Sequence, residues 1–510
     1  MQTDELLEIL ELELTQHRAF GDSEYIRGQV HFCLERRLHK IAAHLPDAGQ
    51  LLEALSRADC HTRYRVLGDS SVRCAIQHAL TQVETGSAYG LPLDDCAQVF
   101  RETIRLLEDG KCGGPLESGS PAVRRLGPEP YHGWIWCEEH SDDIFGRSFR
   151  SVVQKNYGIS LYTPDSDECA MLARGTRLLE ELLPSLSRSA LSHAHLIAVF
   201  PRVGKWTGRS SASQFKITGT FFLSRGGLEE PWYVAEHIFH EALHQKLYDF
   251  RHGHSLLAPT FWRKDAPLVC SLWNEPSKLH NWDISRALAA FHVYVHLSLL
   301  CTIAERRAPE LEAAYGPLQG MVGSRKSLER ARYLGEQLTG PCWEELGQAG
   351  KYLVEWLLSI LNALDAAPAP EGACVHLLLD RYEKEAGRVE AVLRKIGPEG
   401  LDGGSKAGVP QQLMDLIREE ANHVCCALSA VNASEDLGRF NRAVAQYSDA
   451  ELGTRFFEVR RLISKTLLDL SPDHRGYRLD DSVAESKRAE EIVRQMVETS
   501  SHRLDQILAQ

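Results

Sequence analysis

The stretch PWYVAEHIFHEALHQKLYDF, from Pro231 to Phe250, decides how the rest of the chain is read. It opens with proline, whose fixed φ suits the first turn of a helix, and then runs to Phe250 without glycine or proline, so it predicts one unbroken helix. Within it, His240-Glu241-Ala242-Leu243-His244 sets two histidines four residues apart. On a helix they share a face one turn apart, and both imidazoles can offer a nitrogen to a single divalent metal ion. Glu241 stands about 100° round the helix from His240, within reach of a metal-bound water, which suits a catalytic base or a supporting group. The other face carries Val234, Ile238, Ala242 and Leu243, so the helix is expected in a core, where an unpaired imidazole is costly. Glu236 and His237 extend the polar stripe and are expected to orient it, Glu236 by accepting from His240 and His237 by pairing with Glu241. A satisfied pair of core histidines is the alternative that involves no metal.

A useful metal site needs a third protein ligand, and Glu275, His280, Asp283, His292 and His296 follow downstream. His292 and His296 lie one turn apart in the apolar segment FHVYVHLSLL, and of the five His292 is the preferred ligand.

Upstream, HLIAVFPRV (from His195) and FKITGTFFLS (from Phe215) are short, β-branched and aromatic-rich and read as the only strands. Downstream, SRALAAFHVYVHLSLLCTIAERR and SLERARYLGEQL predict long helices. The first 108 residues, with QVHFCLERRLHKIAAHL and VRCAIQHALTQVE, are patterned as amphipathic helices. DGKCGGPLESGSPAVRRLGPEP, ending at Pro130, reads as a linker; DAAPAPEGA (from Asp365) and GPEGLDGGSKAGVP (from Gly397) punctuate the later chain. The expected fold is mainly α with a small β-sheet (α+β). A helical N-terminal region (1–130) and a helical C-terminal region (366–510) would flank a central metal-binding domain (131–365).

The chain has 510 residues, a length that favours more than one packed unit. With 43% hydrophobic and 25% charged residues it is of ordinary globular composition. No unbroken apolar run of about 20 residues suggests a membrane span. A net charge of −13 without a sustained basic run gives no footprint for nucleic acid or an anionic membrane. The acidic start MQTDELLEILELELTQH is unlike a secretory signal, and thirteen cysteines without CxxC spacing fit neither a disulfide framework nor a cysteine zinc site. A cytoplasmic location is expected; the oligomeric state is not legible.

SASQFKITGTFFLS, the HEALH helix soon after it, FWRKDAP, the later His292-x-Tyr294 helix and RARYLGEQL follow one another in an order that resembles the HExxH-type Fe(II)/2-oxoglutarate-dependent peptide β-hydroxylases associated with ribosomally made, modified peptides. The resemblance covers roughly residues 175 to 360. It implies an oxygenase that hydroxylates an amino-acid side chain in a peptide or carrier-bound substrate, with Fe(II) held by His240, His244 and His292 and a carboxylate of 2-oxoglutarate gripped by Arg263. Where that family has a small residue after the later histidine, Val293 stands here. Two other readings remain: a zinc metallopeptidase using His240, His244 and Glu275 with Glu241 as base, and a helical partner-binding scaffold.

Overall fold

The computed structural model describes residues 3–87, 90–126, 133–274, 281–365, 377–383, 385–387, 389, 409–447, 455–468 and 483–509. The chain is mainly helical with two small sheets, the α+β class the sequence predicts. It divides into two compact units: Met1–Ala258 with Ala289–Ser327 and Leu346–Ile360, and Pro259–Leu288 with Leu328–Glu345 and Leu361–Gln510. The division does not follow the expected breaks at 130 and 365.

In the first unit, helices α1 (Thr3–Gln16), α2 (Ser23–Ala42), α3 (Pro46–Arg57), α4 (Cys60–Gly68), α5 (Ser70–Thr85) and α6 (Leu93–Glu108) come before any strand. Aspartates start several of them: Asp22 accepts the Glu24 and Tyr25 amides of α2, and Asp69 those of Ser71 and Val72 of α5. The stretch expected as a linker is instead packed. It forms a short helix α7 (Pro115–Gly119) and strand β1 (Val123–Arg125), and Leu116 and Ala122 are buried in the same core as Val30, Phe100 and Phe222. The Leu116 amide donates to Asp69 Oδ2 at 2.8 Å, and Arg65 pairs with Glu117. Glycine and proline here punctuate tight turns inside one core rather than a boundary between two.

A five-stranded sheet follows, in the order β1-β2-β3-β5-β4, with β2 (Trp134–Trp136), β3 (Leu196–Phe200), β4 (Ser211–Gln214) and β5 (Ile217–Ser224). β3 pairs in parallel with β2 and β5, while β1 and β4 close the edges in antiparallel fashion. The two expected strands are its centre. β5 is buried along all eight residues, as a strand covered on both faces must be, and both α5 and a later helix, α11, contact it. β1, β2 and β4 are too short to show a period, and their places in the sheet owe more to β3 and β5 than to local pattern.

Helices α8 (Ile144–Tyr157), α9 (Ser166–Leu182) and α10 (Pro184–Leu191) lie between β2 and β3; α11 (Pro231–Gly253) and α12 (Ile284–Tyr315) follow the sheet. Contrary to expectation, α12 is long and apolar enough to cross a membrane by length and composition, but 78% of that window is buried inside the protein, so it serves as a core helix. The buried centre of this unit is ionic. Arg73 of α5 donates from Nη1 to Asp249 Oδ1 of α11 at 2.6 Å and from Nε to the Leu67 carbonyl at 2.6 Å, and Asp249 Oδ2 accepts from His193 Nδ1 at 2.8 Å.

In the second unit, α13 (Ser324–Thr339) contributes Arg330, whose guanidinium donates to Asp380 at 2.9 Å. A two-stranded ladder joins Val269–Cys270 to Asn281–Trp282. Helices Val409–Ala430, Phe456–Leu468 and Val483–Ala509 build a core of their own around the buried pair Arg460–Glu420, 2.8 Å apart.

Replacing Asp249 by Asn leaves the Arg73 guanidinium buried without its counter-charge and is expected to cost about 3–5 kcal/mol in urea unfolding at neutral pH. A loss under 1 kcal/mol contradicts the central role of this pair. Acid acts through another buried group. His78 accepts the Leu91 amide at Nδ1 (3.0 Å), and burial holds its pKa down at about 4. Because the folded value lies below the unfolded one, the unfolded chain binds the extra proton, and stability present above pH about 6.5 is lost as pH falls toward 4. The gap amounts to about 3 kcal/mol, and His78→Gln is expected to flatten the pH 7 to 4 stability profile by that amount.

Candidate functional site

The helix read from Pro231 to Phe250 is α11, three residues longer than expected. Its start is fixed by three contacts. Arg209 holds Glu230 with both terminal nitrogens (2.7 and 3.2 Å), Trp232 donates to the Gly316 carbonyl at 2.9 Å, and Pro231 occupies the first turn. One side packs as predicted: Val234, Ile238, Ala242 and Leu243 are buried, and Val234 lies so close to α9 that a Cβ on Gly175 would overlap it. The helix is also tied to the sheet. The Gln245 side-chain carbonyl accepts from Gly219 N at 2.8 Å and its amide donates to Thr220 O at 2.8 Å, so it continues the hydrogen bonding of β5 where Gly219, at φ +82°, turns the strand.

His237, His240, His244 and Tyr248 form a half-exposed stripe along the remaining face. The His240 and His244 rings are 4.9 Å apart between centroids, with His237 stacked 6.2 Å beyond His240 and Tyr248 6.0 Å beyond His244. Both side chains of the pair are partly buried, with 26% of the His240 side chain exposed. His237 does not adopt the expected pairing: its Nδ1 meets the Tyr233 carbonyl at 3.0 Å and its ring stacks on Tyr233 at 3.7 Å. Glu236 accepts from the Val322 amide at 2.6 Å, which ties α11 to the segment after α12.

Glu241 is buried, with Oε1 3.8 Å from His240 Nε2 and Oε2 without a hydrogen-bond partner among the described residues. Burial pushes its carboxyl up to about 7, against the opposing pull of the Ser211 and Ser213 hydroxyls on β4. Tyr157 of α8 lies near enough for the Glu241 charge to act on its phenol. These three neighbours carried no signal of their own in the sequence. Ser211 and Ser213 alternate along an edge strand too short to recognise, and Tyr157 comes from a helix 84 positions away from Glu241.

Of the third-ligand candidates, His292 and His296 are buried on α12, with ring centroids 4.4 Å apart. His296 Nδ1 lies 2.7 Å from the His292 carbonyl, whereas His292 Nδ1 has no hydrogen-bond partner among the described residues. His244 is among the groups whose charge acts on His292, and burial holds the His292 pKa well below the usual imidazole range. Among the described residues no group of three or more His, Cys, Asp or Glu side chains is placed to share one ion. Asp283 is occupied at the start of α12, accepting the Arg286 amide at 2.8 Å. Glu275 and His280 lie outside the described residues.

Arg263 falls in the second unit, apart from the unit that holds His240 and His244. Its Nη2 donates to the buried Glu345 at 3.0 Å and its Nε lies 3.8 Å from Asp265. Thr260 donates to the other Glu345 oxygen at 2.7 Å. The guanidinium expected to grip a keto acid thus has a carboxylate of its own chain.

No protein-family model matches the chain, and no curated protein matches it significantly. Its chemistry must be argued from the stripe itself. His240 and His244 stand side by side on α11.

If the stripe binds metal, alanine at His240 or at His244 lowers Co(II) affinity by more than the roughly 10–100-fold that outer groups give. Stability should stay within about 0.5 kcal/mol, because both side chains are half-exposed. Unchanged Co(II) titrations in both variants would remove the pair from consideration.

Proposed function

We propose that the chain is a metal-dependent enzyme centred on the histidine stripe of α11, and that it is an Fe(II)/2-oxoglutarate-dependent oxygenase hydroxylating an amino-acid side chain of a peptide or carrier-bound substrate. The observation that carries the metal reading is the His240–His244 pair, set one turn apart on a partly exposed face beside the buried carboxyl of Glu241. Imidazole suits Fe(II), and few protein ligands leave positions open for co-substrates. The choice of iron rests on the order of elements from SASQFKITGTFFLS through HEALH to RARYLGEQL. Glu241, 3.8 Å from His240, acts in this reading as the group that orients that imidazole. The described cysteines are all free thiols, which supports placing the protein in a reducing cytoplasm.

The position of Glu241 also favours a second reading, hydrolysis of a peptide at zinc, because a carboxylate next to a ligand histidine with one oxygen uncommitted is placed to take a proton from water.

Metal content and turnover separate the two. Protein reconstituted anaerobically with Fe(II) and then given oxygen is expected to convert 2-oxoglutarate to succinate and carbon dioxide, with His240→Ala and His244→Ala inactive. Stoichiometric zinc with cleavage of a peptide panel selects the hydrolase. Neither turnover with any of Fe(II), Co(II) or Zn(II) overturns the enzyme assignment.

A further inference from the structure

The first unit holds a cleft of about 580 Å3 that the α11 site does not use. Its walls come from α2, α4, α9 and α10, and its floor is His195, at the entry to β3. The volume is that of a small-molecule site. Arg27 of α2 and Arg188 of α10 line it and neither closes an ion pair among the described residues; Glu24 and Glu180 line it too, and the Arg188 charge acts on the Glu180 carboxyl from beyond ion-pair distance. Arg65 lines the cleft as well, but is paired with Glu117. An unpaired guanidinium is ordinary in open water, but two converging on one concavity form a fork-bearing wall suited to a planar or tetrahedral oxyanion.

The floor points the same way. His195 is 9% exposed and lines the cleft. The ring is held in place by close packing: a Cβ on Gly68 would overlap it, and Tyr64 lies 5.1 Å away between centroids. Tyr64 in turn carries Arg27 over its face at 4.6 Å and donates its hydroxyl to the Ser192 carbonyl at 2.6 Å. Burial, with the charges of Arg73 and Arg65 adding to it and that of Asp249 opposing, holds the His195 pKa well below the usual imidazole range, so a neutral ring stands at the floor.

We propose that this cleft is a binding site for a small organic anion, with its carboxylate or phosphate group held between Arg27 and Arg188 and a second polar group meeting His195. It is independent of the metal assignment and stands whether or not α11 binds a metal.

The test is calorimetric titration of the full chain with sodium phosphate and with sodium succinate, against sodium chloride at equal ionic strength. Saturable binding with Kd at or below about 1 mM is expected for one of the two. Preference for phosphate assigns a phosphate ester and preference for succinate a carboxylate. The double variant Arg27→Gln/Arg188→Gln should weaken binding by about 10- to 100-fold. Both side chains are at least partly exposed, so an unchanged melting temperature is the check on folding. Gly28 lines the cleft and a Cβ there meets nothing within 4 Å, so Gly28→Trp should occlude the site while leaving every charge in place. Arg36→Gln, on an exposed position of the same helix, should change nothing. No saturable binding of either anion overturns the proposal, as does binding that survives Gly28→Trp or falls equally in Arg36→Gln.

Discussion

The ion pair between Arg73 and Asp249 is the constraint on which the first unit depends. A guanidinium and a carboxylate, both excluded from water, are tolerated only with good geometry and further hydrogen bonds, and here Leu67 O and His193 supply them. The four residues come from α4, α5, the turn before β3, and α11. One network therefore joins the N-terminal helices to the strand entry and to the helix that carries His240 and His244. This is why residues before and after the glycine-rich stretch at 109–130 belong to one core.

Helix α11 is loaded differently on its two sides. Toward the core it buries apolar residues together with Gln245, Lys246 and Asp249, each with partners: the β5 backbone, the Gly21 carbonyl with Ser189 Oγ, and Arg73 with His193. Burial lowers the Lys246 pKa to about 7, a mark of how dry that side is. Toward solvent it presents histidines and Tyr248. A helix pinned at its start by Arg209, at its middle by Gln245 and near its end by Asp249 holds that stripe without help from the stripe itself.

Much of the architecture was legible from the chain alone. The central strands β3 and β5, the unbroken α11 and the presence of α12 follow from runs of five or more residues, β-branched and aromatic in the strands and free of glycine and proline in the helices. What misled were short segments. Three- and four-residue edge strands show no period, and Gly-Pro-rich sequence reads the same whether it links two domains or turns tightly inside one. The charged core partners were invisible for another reason: Arg73 and Asp249 are 176 positions apart, and nothing in either neighbourhood marks the other.

The candidate site divides along the same line. Helical periodicity, a property of three or four neighbouring residues, was enough to place His240 and His244 on one face, and that placement holds. That Glu241 turns toward Ser211 and Ser213, that His292 is buried, and that Arg263 lies in another unit beside Glu345 were decided only by tertiary packing. Local backbone geometry repeats every turn and can be read from spacing; the company a side chain keeps depends on segments distant in sequence, brought together by burial that no single segment specifies.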